Sequence, residues 1–194
     1  MKKDIILAGV GGQGILSIAA IIGYAAVESG LFLKQAEVHG MSQRGGDVQS
    51  HLRLSSDEIA SDLIPQGKAD MIISVEPMES LRYLPYLGPA GWLVTSIKPF
   101  VNIPNYPDME QLMQQVDAQP NHIALDAETM AGELGSVKAA NMVVLGAASP
   151  FLDLDYEKLE KAIHFVFGRK GEDLVQLNLN ALKAGREYAE EHMN

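Results

Sequence analysis

Gly9-Val10-Gly11-Gly12-Gln13-Gly14 satisfies the pattern Gly-x-Gly-x-x-Gly. It follows Asp4 to Ala8, which reads as a buried strand, and opens an apolar run of helical length; that context gives such a match meaning. Glycines allow a tight turn and close backbone approach. The unpaired amides and partial positive charge at a helix start favour a phosphate or carboxylate. The plainer reading is a turn that needs positive φ and close helix packing. A second candidate, Val38-His39-Gly40-Met41-Ser42-Gln43-Arg44-Gly45-Gly46-Asp47, packs an imidazole, an amide, a cation and three glycines into one loop. Leaving the C-terminal end of a second strand, this loop falls beside the first one, at the edge where doubly wound sheets bind ligands. Arg44 either adds a two-pronged charge suited to phosphate or pairs at the surface with Asp47 or Glu37. The candidate anion-binding residues are therefore Gly11, Gly12, Gln13, Gly14, Gln43, Arg44, Gly45 and Gly46. His39 is a candidate proton donor or substrate contact, against a buried hydrogen-bonded role. A dinucleotide site also wants an acid about 20 residues beyond the glycines, and Glu37 is in that range, so a nicotinamide-dependent dehydrogenase competes.

Other chemistries find little support. His39, His51, His122, His164 and His192 include no pair at the spacing of a helical metal site, and no metal is expected. Ser17, Ser42 and Ser96 lack a general base at recognisable spacing. The absence of cysteine removes disulfides, thiolate nucleophiles and thiolate-ligated iron–sulfur clusters from this chain. Fifteen Lys and Arg stand against 25 Asp and Glu, a net charge of −10 whose field would repel nucleic acid and anionic membranes, so any anion site must be local. The run Ile5 to Ala8 is too short for a signal segment, and Ile15 to Val27 is broken by Ser17, Gly23 and Tyr24. A cytoplasmic protein is expected.

These residues need a frame. A length of 194 residues favours one domain spanning 1–194. The pattern predicts a buried strand at Asp4 to Ala8, a helix from Gly14 to Ser29 buried on more than one face with Gly30 as its stop, and a strand at Leu31 to Val38. Period-two alternation from Asp47 to Leu54 predicts a strand buried on one face, turning at Ser55-Ser56-Asp57 into a short strand near Glu58 to Ser61, an antiparallel hairpin inserted after the first βαβ unit. Strands follow at Asp70 to Val75, Gly91 to Ser96 and His122 to Leu125, with helices at Pro77 to Leu87 and Asp108 to Val116 and a proline-rich loop around Pro99, Pro104 and Pro107. Helices at Val137 to Ala148, Asp155 to Phe167 (Asp155 as N-cap) and Glu172 to Glu190 close the chain. The expected fold is α/β: a Rossmann-like three-layer sandwich with a mainly parallel sheet, an inserted antiparallel hairpin and a helical C-terminal segment.

Three ordered motifs are more specific than one glycine fingerprint. Gly11-Gly12-Gln13-Gly14, Gln43-Arg44-Gly45-Gly46 and Lys138-Ala139-Ala140-Asn141-Met142-Val143-Val144-Leu145-Gly146-Ala147 together resemble the gamma-type catalytic domain of 2-oxoacid:ferredoxin oxidoreductases across nearly the whole chain. The run Glu37 to Gly46 is most similar to the beta subunit of the indolepyruvate branch. That resemblance implies a subunit of an enzyme that oxidatively decarboxylates a 2-oxoacid to acyl-CoA and carbon dioxide, inactive alone. Thiamine diphosphate with magnesium and [4Fe-4S] clusters would reside in a larger partner subunit, and electrons would pass to ferredoxin. This chain would shape the active-site edge and hold coenzyme A. A self-sufficient NAD-dependent dehydrogenase and a non-catalytic assembly subunit are the competing readings. Asn141, inside an apolar helix, either orients the neighbouring loops or is a buried amide tied to backbone.

Overall fold

Strand β1 (Lys2–Val10) alternates its side chains between two buried faces, as an interior strand covered on both faces must. Ile5 and Leu7 join one hydrophobic core, Ile6 and Ala8 the other. The computed structural model describes residues 1–39 and 45–193. Its six strands lie in the order β2-β3-β1-β4-β5-β6, with β2 (Phe32–His39), β3 (Asp47–Ser55), β4 (Ala69–Ser74), β5 (Leu87–Ser96) and β6 (His122–Leu125). Strands β1, β4, β5 and β6 run parallel, whereas β3 is antiparallel to both of its neighbours.

Helix α1 (Ile15–Glu28) lies on the face of Ile5 and Leu7 with α4 (Ala127–Glu133), α5 (Ala140–Ala148), α6 (Tyr156–Phe167) and α7 (Glu172–His192). The opposite face carries α2 (Pro77–Arg82) and α3 (Met109–Asp117), whose Met78, Leu81, Leu112 and Val116 cover Ile6, Ile72 and Leu93. This is the expected three-layer α/β sandwich. Helix α1 is buried on two sides because α6 packs behind it: Tyr24 stacks on Phe165 at 4.5 Å, and Lys158 Nζ donates to Ser29 Oγ at 3.1 Å. Gly30, at φ +71°, ends the helix in the left-handed conformation that glycine adopts cheaply. Asp155 occupies the N-cap position of α6 but its side chain makes no capping bond; it pairs instead with Lys158 at 3.2 Å.

Three expectations about the hairpin need correction. The antiparallel pair is β2 with β3, and β3 enters the gap between β1 and β2, so the first βαβ unit is split instead of having its strands adjacent. Residues Glu58 to Ser61 form no strand. The chain there is held by side chains instead of a ladder: Arg53 Nη1 donates to the carbonyls of Ser61 and Leu63 at 2.9 and 3.0 Å. Its other nitrogens grip the buried Asp4, Nε to Oδ1 at 2.7 Å and Nη2 to Oδ2 at 3.0 Å. The same segment buries the second face of β3, which the alternation had suggested was open. The Ile64 amide donates to His51 Nδ1 at 3.0 Å, and His51 is 2% exposed.

The predicted helix at Pro77 to Leu87 stops at Arg82, and Leu84–Tyr86 forms a separate 3-10 turn around Pro85, which has no amide hydrogen to continue a ladder. Residues Val137–Ala139 likewise form a 3-10 turn before α5.

Burial holds the His51 pKa below the ordinary histidine value, with the charge of Asp62 opposing and that of Arg53 reinforcing. The neutral ring fits the fold because Nδ1 must accept. In the unfolded chain the imidazole takes a proton more readily, so stability contributed here is full above pH ~6.5 and falls as pH drops below it. The urea midpoint should therefore fall more between pH 7 and pH 5.5 in the native chain than in His51→Asn. Equal losses in both would show that His51 plays no such part.

Candidate functional site

At the C-terminal ends of the parallel strands, the glycine loop and α1 border a cleft of about 610 Å³. The turn is built from its own side chain: Gln13 Oε1 accepts from the Val10 amide at 2.8 Å, Gln13 Nε2 donates to the Val75 carbonyl at 3.4 Å, and the Gln13 amide returns to Val10 O at 3.1 Å. Gln13 thus shapes the loop, and its polar atoms face inward. The Gly11 amide is also engaged, donating to Gly46 O at 2.8 Å. The amides of Gly12, Gly14, Ile15 and Leu16 have no partner among the described residues. They sit where the helix dipole is positive, and the first turn of α1 holds no acidic side chain.

The second loop meets the first through backbone bonds. Gly45 N donates to Gly11 O at 3.4 Å, opposite to the Gly11 to Gly46 bond, and Asn102 Nδ2 donates to Gly45 O. Tyr83 Oη donates to Asp47 Oδ2 at 3.3 Å, anchoring the start of β3. Burial and then the Asp47 charge push the Tyr83 pKa up, so this hydroxyl remains a donor. Of the predicted site residues, Gly11, Gly12, Gln13, Gly14, Gly45 and Gly46 therefore gather at one edge. His39 ends β2 by its backbone; its side chain, Gln43 and Arg44 lie outside the described residues.

Asn141 closes the back of this arrangement. From the first turn of α5 its Nδ2 donates to Gly14 O at 3.1 Å, so it is a buried amide tied to backbone, and the backbone it holds is the glycine loop. A Cβ on Gly14 would stand 2.4 Å from that nitrogen, at φ +82°. Hence the glycine at position 14 serves close approach by a side chain. Residues Ser136, Val137 and Lys138 line the cleft opposite α1, with exposed Lys138 contributing a cation at its rim. Lys138, which opens the third motif but is not among the candidate anion-binding residues, lines the cleft. A serine N-cap at Ser136, followed by lysine and an apolar helix, was the available signal for Lys138.

Glu37 does not stand where a ribose-binding acid stands. That role belongs to the strand adjacent to β1, and here β3 occupies the place, setting Glu37 two strands away, about 10 Å in the sheet.

The family model described as pyruvate ferredoxin/flavodoxin oxidoreductase matches residues 4–188. The chain belongs to this family. It is 37% identical over 205 residues to the indolepyruvate oxidoreductase subunit IorB of Pyrococcus horikoshii, covering 100% of both chains. The keto/oxoacid ferredoxin oxidoreductase gamma subunit of Geobacter sulfurreducens shares the fold at a TM-score of 0.73 and 24% identity, over 97% of this chain and 99% of that one. The 2-oxoglutarate:ferredoxin oxidoreductase of Magnetococcus marinus, with 2-oxoglutarate, coenzyme A and succinyl-CoA bound, shares it at a TM-score of 0.79 and 24% identity over 99% of this chain, which spans 32% of that longer one. This member of the pyruvate ferredoxin/flavodoxin oxidoreductase family is accordingly a subunit of a 2-oxoacid ferredoxin oxidoreductase. Among the described residues no helix is long and apolar enough to cross a membrane.

Proposed function

We propose that this chain, acting as a single domain over residues 1–194, forms the coenzyme A side of the active site in a cytoplasmic indolepyruvate or related arylpyruvate oxidoreductase. One observation carries the reading: the two glycine-rich loops are bonded to each other beside a row of unpartnered amides at the head of α1. That cradle suits a phosphate of coenzyme A, with Gly12, Gly14, Gly45 and Gly46 giving close backbone approach, Gly11 and Gln13 fixing the loop shape, and Arg44 and Gln43 adding polar contacts from the second loop. His39, at the base of that loop, is the candidate substrate contact. The likeness to indolepyruvate oxidoreductase subunits supports the arylpyruvate assignment. Thiamine diphosphate with magnesium and the iron–sulfur clusters would supply decarboxylation and electron transfer to ferredoxin from a larger partner subunit. With no cysteine, this chain offers no thiolate to a cluster.

In the assembled complex, with cluster content checked first, Arg44→Ala should raise the KM for coenzyme A roughly tenfold or more, the scale of a lost charge-assisted contact of about 1.5–3 kcal/mol. The KM for the oxoacid should change little, and the gap from wild type should narrow at high salt. An unchanged coenzyme A response would remove Arg44 from the site. Faster turnover of pyruvate or 2-oxoglutarate than of indolepyruvate would overturn the substrate assignment.

A further inference from the structure

Glu76, at the junction of β4 and α2, is fully buried, and its two carboxylate oxygens do different work. Oε2 accepts from the Glu79 amide at 2.8 Å, capping α2. Oε1 accepts from the Phe100 amide at 3.2 Å and from Tyr106 Oη. A helix cap needs one oxygen on a short side chain, and Asp, Asn, Ser and Thr are the residues that commonly supply it. The longer glutamate reaches further, to the irregular segment 97–108 that connects β5 to α3.

That segment contains three prolines and forms no strand or α-helix, so it depends on side-chain anchors for its course. One oxygen holds it at two points six residues apart. Between them, Asn102 donates to Gly45 O, Gly45 donates to Gly11 O, and Phe100 forms part of the cleft wall. A continuous path of hydrogen bonds thus runs from the buried carboxylate through the segment to both glycine loops. Burial, followed by the bond to Glu76, pushes the Tyr106 pKa up, so its hydroxyl remains a donor.

We infer that Glu76 is a positioning residue for coenzyme A: it staples segment 97–106 against the second glycine loop and thereby sets the wall and mouth of the cleft. The inference rests on the reading of that cleft as the coenzyme A side of the active site.

Glu76→Asp separates the two roles, since aspartate is a good helix cap but is one methylene too short for the staple. Tyr106→Phe removes one of the staple's two bonds and leaves the cap and the Phe100 bond intact. In the assembled complex with normal cofactor content, each variant should speed hydrogen exchange at residues 97–106 and raise the KM for coenzyme A roughly fivefold, the fold-change of one hydrogen bond, with kcat and the oxoacid KM little altered. Because Glu76→Asp already withdraws the acceptor of the bond that Tyr106→Phe deletes, the double variant should be no worse than Glu76→Asp alone. Unchanged exchange in both variants overturns the staple. Faster exchange with an unchanged coenzyme A KM overturns the positioning role if Arg44→Ala does raise that KM. If Arg44→Ala leaves it unchanged too, the reading of the cleft falls and the inference falls with it.

Discussion

Gly185→Ala should lose about 3 kcal/mol of stability or more, above the usual ~1–3 kcal/mol for one extra methylene in a packed core. A Cβ at this position would stand 1.9 Å from the carbonyl oxygen of Val143 and 2.9 Å from the amide nitrogen of Ala147, across the contact between α7 and α5. Gly146 faces the same constraint from the other helix, with Leu182 O at 2.0 Å from its would-be Cβ. Every obstructing atom is backbone, so no rotamer change relieves the clash and the helices must separate. Gly132→Ala in α4 is the control. Its Cβ would meet only Val137 Cγ1 at 3.5 Å, an ordinary contact, and helix propensity should make that change neutral or slightly stabilising. Urea denaturation of the two variants tests the contrast; a native-like midpoint for Gly185→Ala would show that α5 and α7 tolerate separation. Since α5 also carries Asn141, surviving Gly185→Ala protein should, on the proposed assignment, raise the KM for coenzyme A in the assembled complex as well.

The second large effect is expected on activity. Gly14→Ala forces a side chain into the left-handed region at a cost of about 1–2 kcal/mol and brings its Cβ to 2.4 Å from the Asn141 amide. Either Asn141 withdraws and frees the Gly14 carbonyl, or the head of α1 shifts, turning the open amides of Gly12, Ile15 and Leu16. Displacements near 1 Å at a reacting centre can cost about a hundredfold in rate. On the proposed assignment, acyl-CoA formation by the assembled complex should fall on that scale, while Asn141→Ala in the Gly14→Ala background should recover part of the loss by clearing the space. A fully active Gly14→Ala complex would place the ligand elsewhere. Failure of the second substitution to restore activity would show that clearing the space does not suffice while the left-handed strain and the lost Asn141 bond to Gly14 O remain.

The parallel strands were readable because their apolar runs are short, rich in branched residues and bounded by turn-formers, as at Asp70 to Val75 and His122 to Leu125. The partner of a strand is another matter. Alternation marks β3 as extended, but nothing within Asp47 to Leu54 says that it inserts between β1 and β2, because that depends on how the chain returns after the second loop. Glu58 to Ser61 misleads for a related reason: the side chains that hold it, Arg53 on Ser61 O and Lys34 on Ala60 O, come from β3 and β2, whose places in the sheet are set by distant pairing. In the site, the glycine pattern announces itself because conformational need restricts the residue type. Glu76 does not. Before Pro77 it reads as an ordinary helix start, and the use of its second oxygen is visible only once residues 100 and 106 are folded over it.

The β3 insertion also separates two kinds of change in chain length. The stretch from Val10 to Ile15 is fixed by Gln13, which bonds Val10 at the start of the turn and Val75 beyond β4, so adding or removing a residue there would break the clamp and rotate α1. The connection from β2 to β3 is instead the end of a hairpin, flanked by the pair His39 and Val48. Hairpin ends accept extra residues without moving the ladder behind them, and each doubling of such a connection costs only about 0.6 kcal/mol in closure entropy. The fold therefore keeps one connection of set dimensions beside another that can change in length without re-registering a single strand.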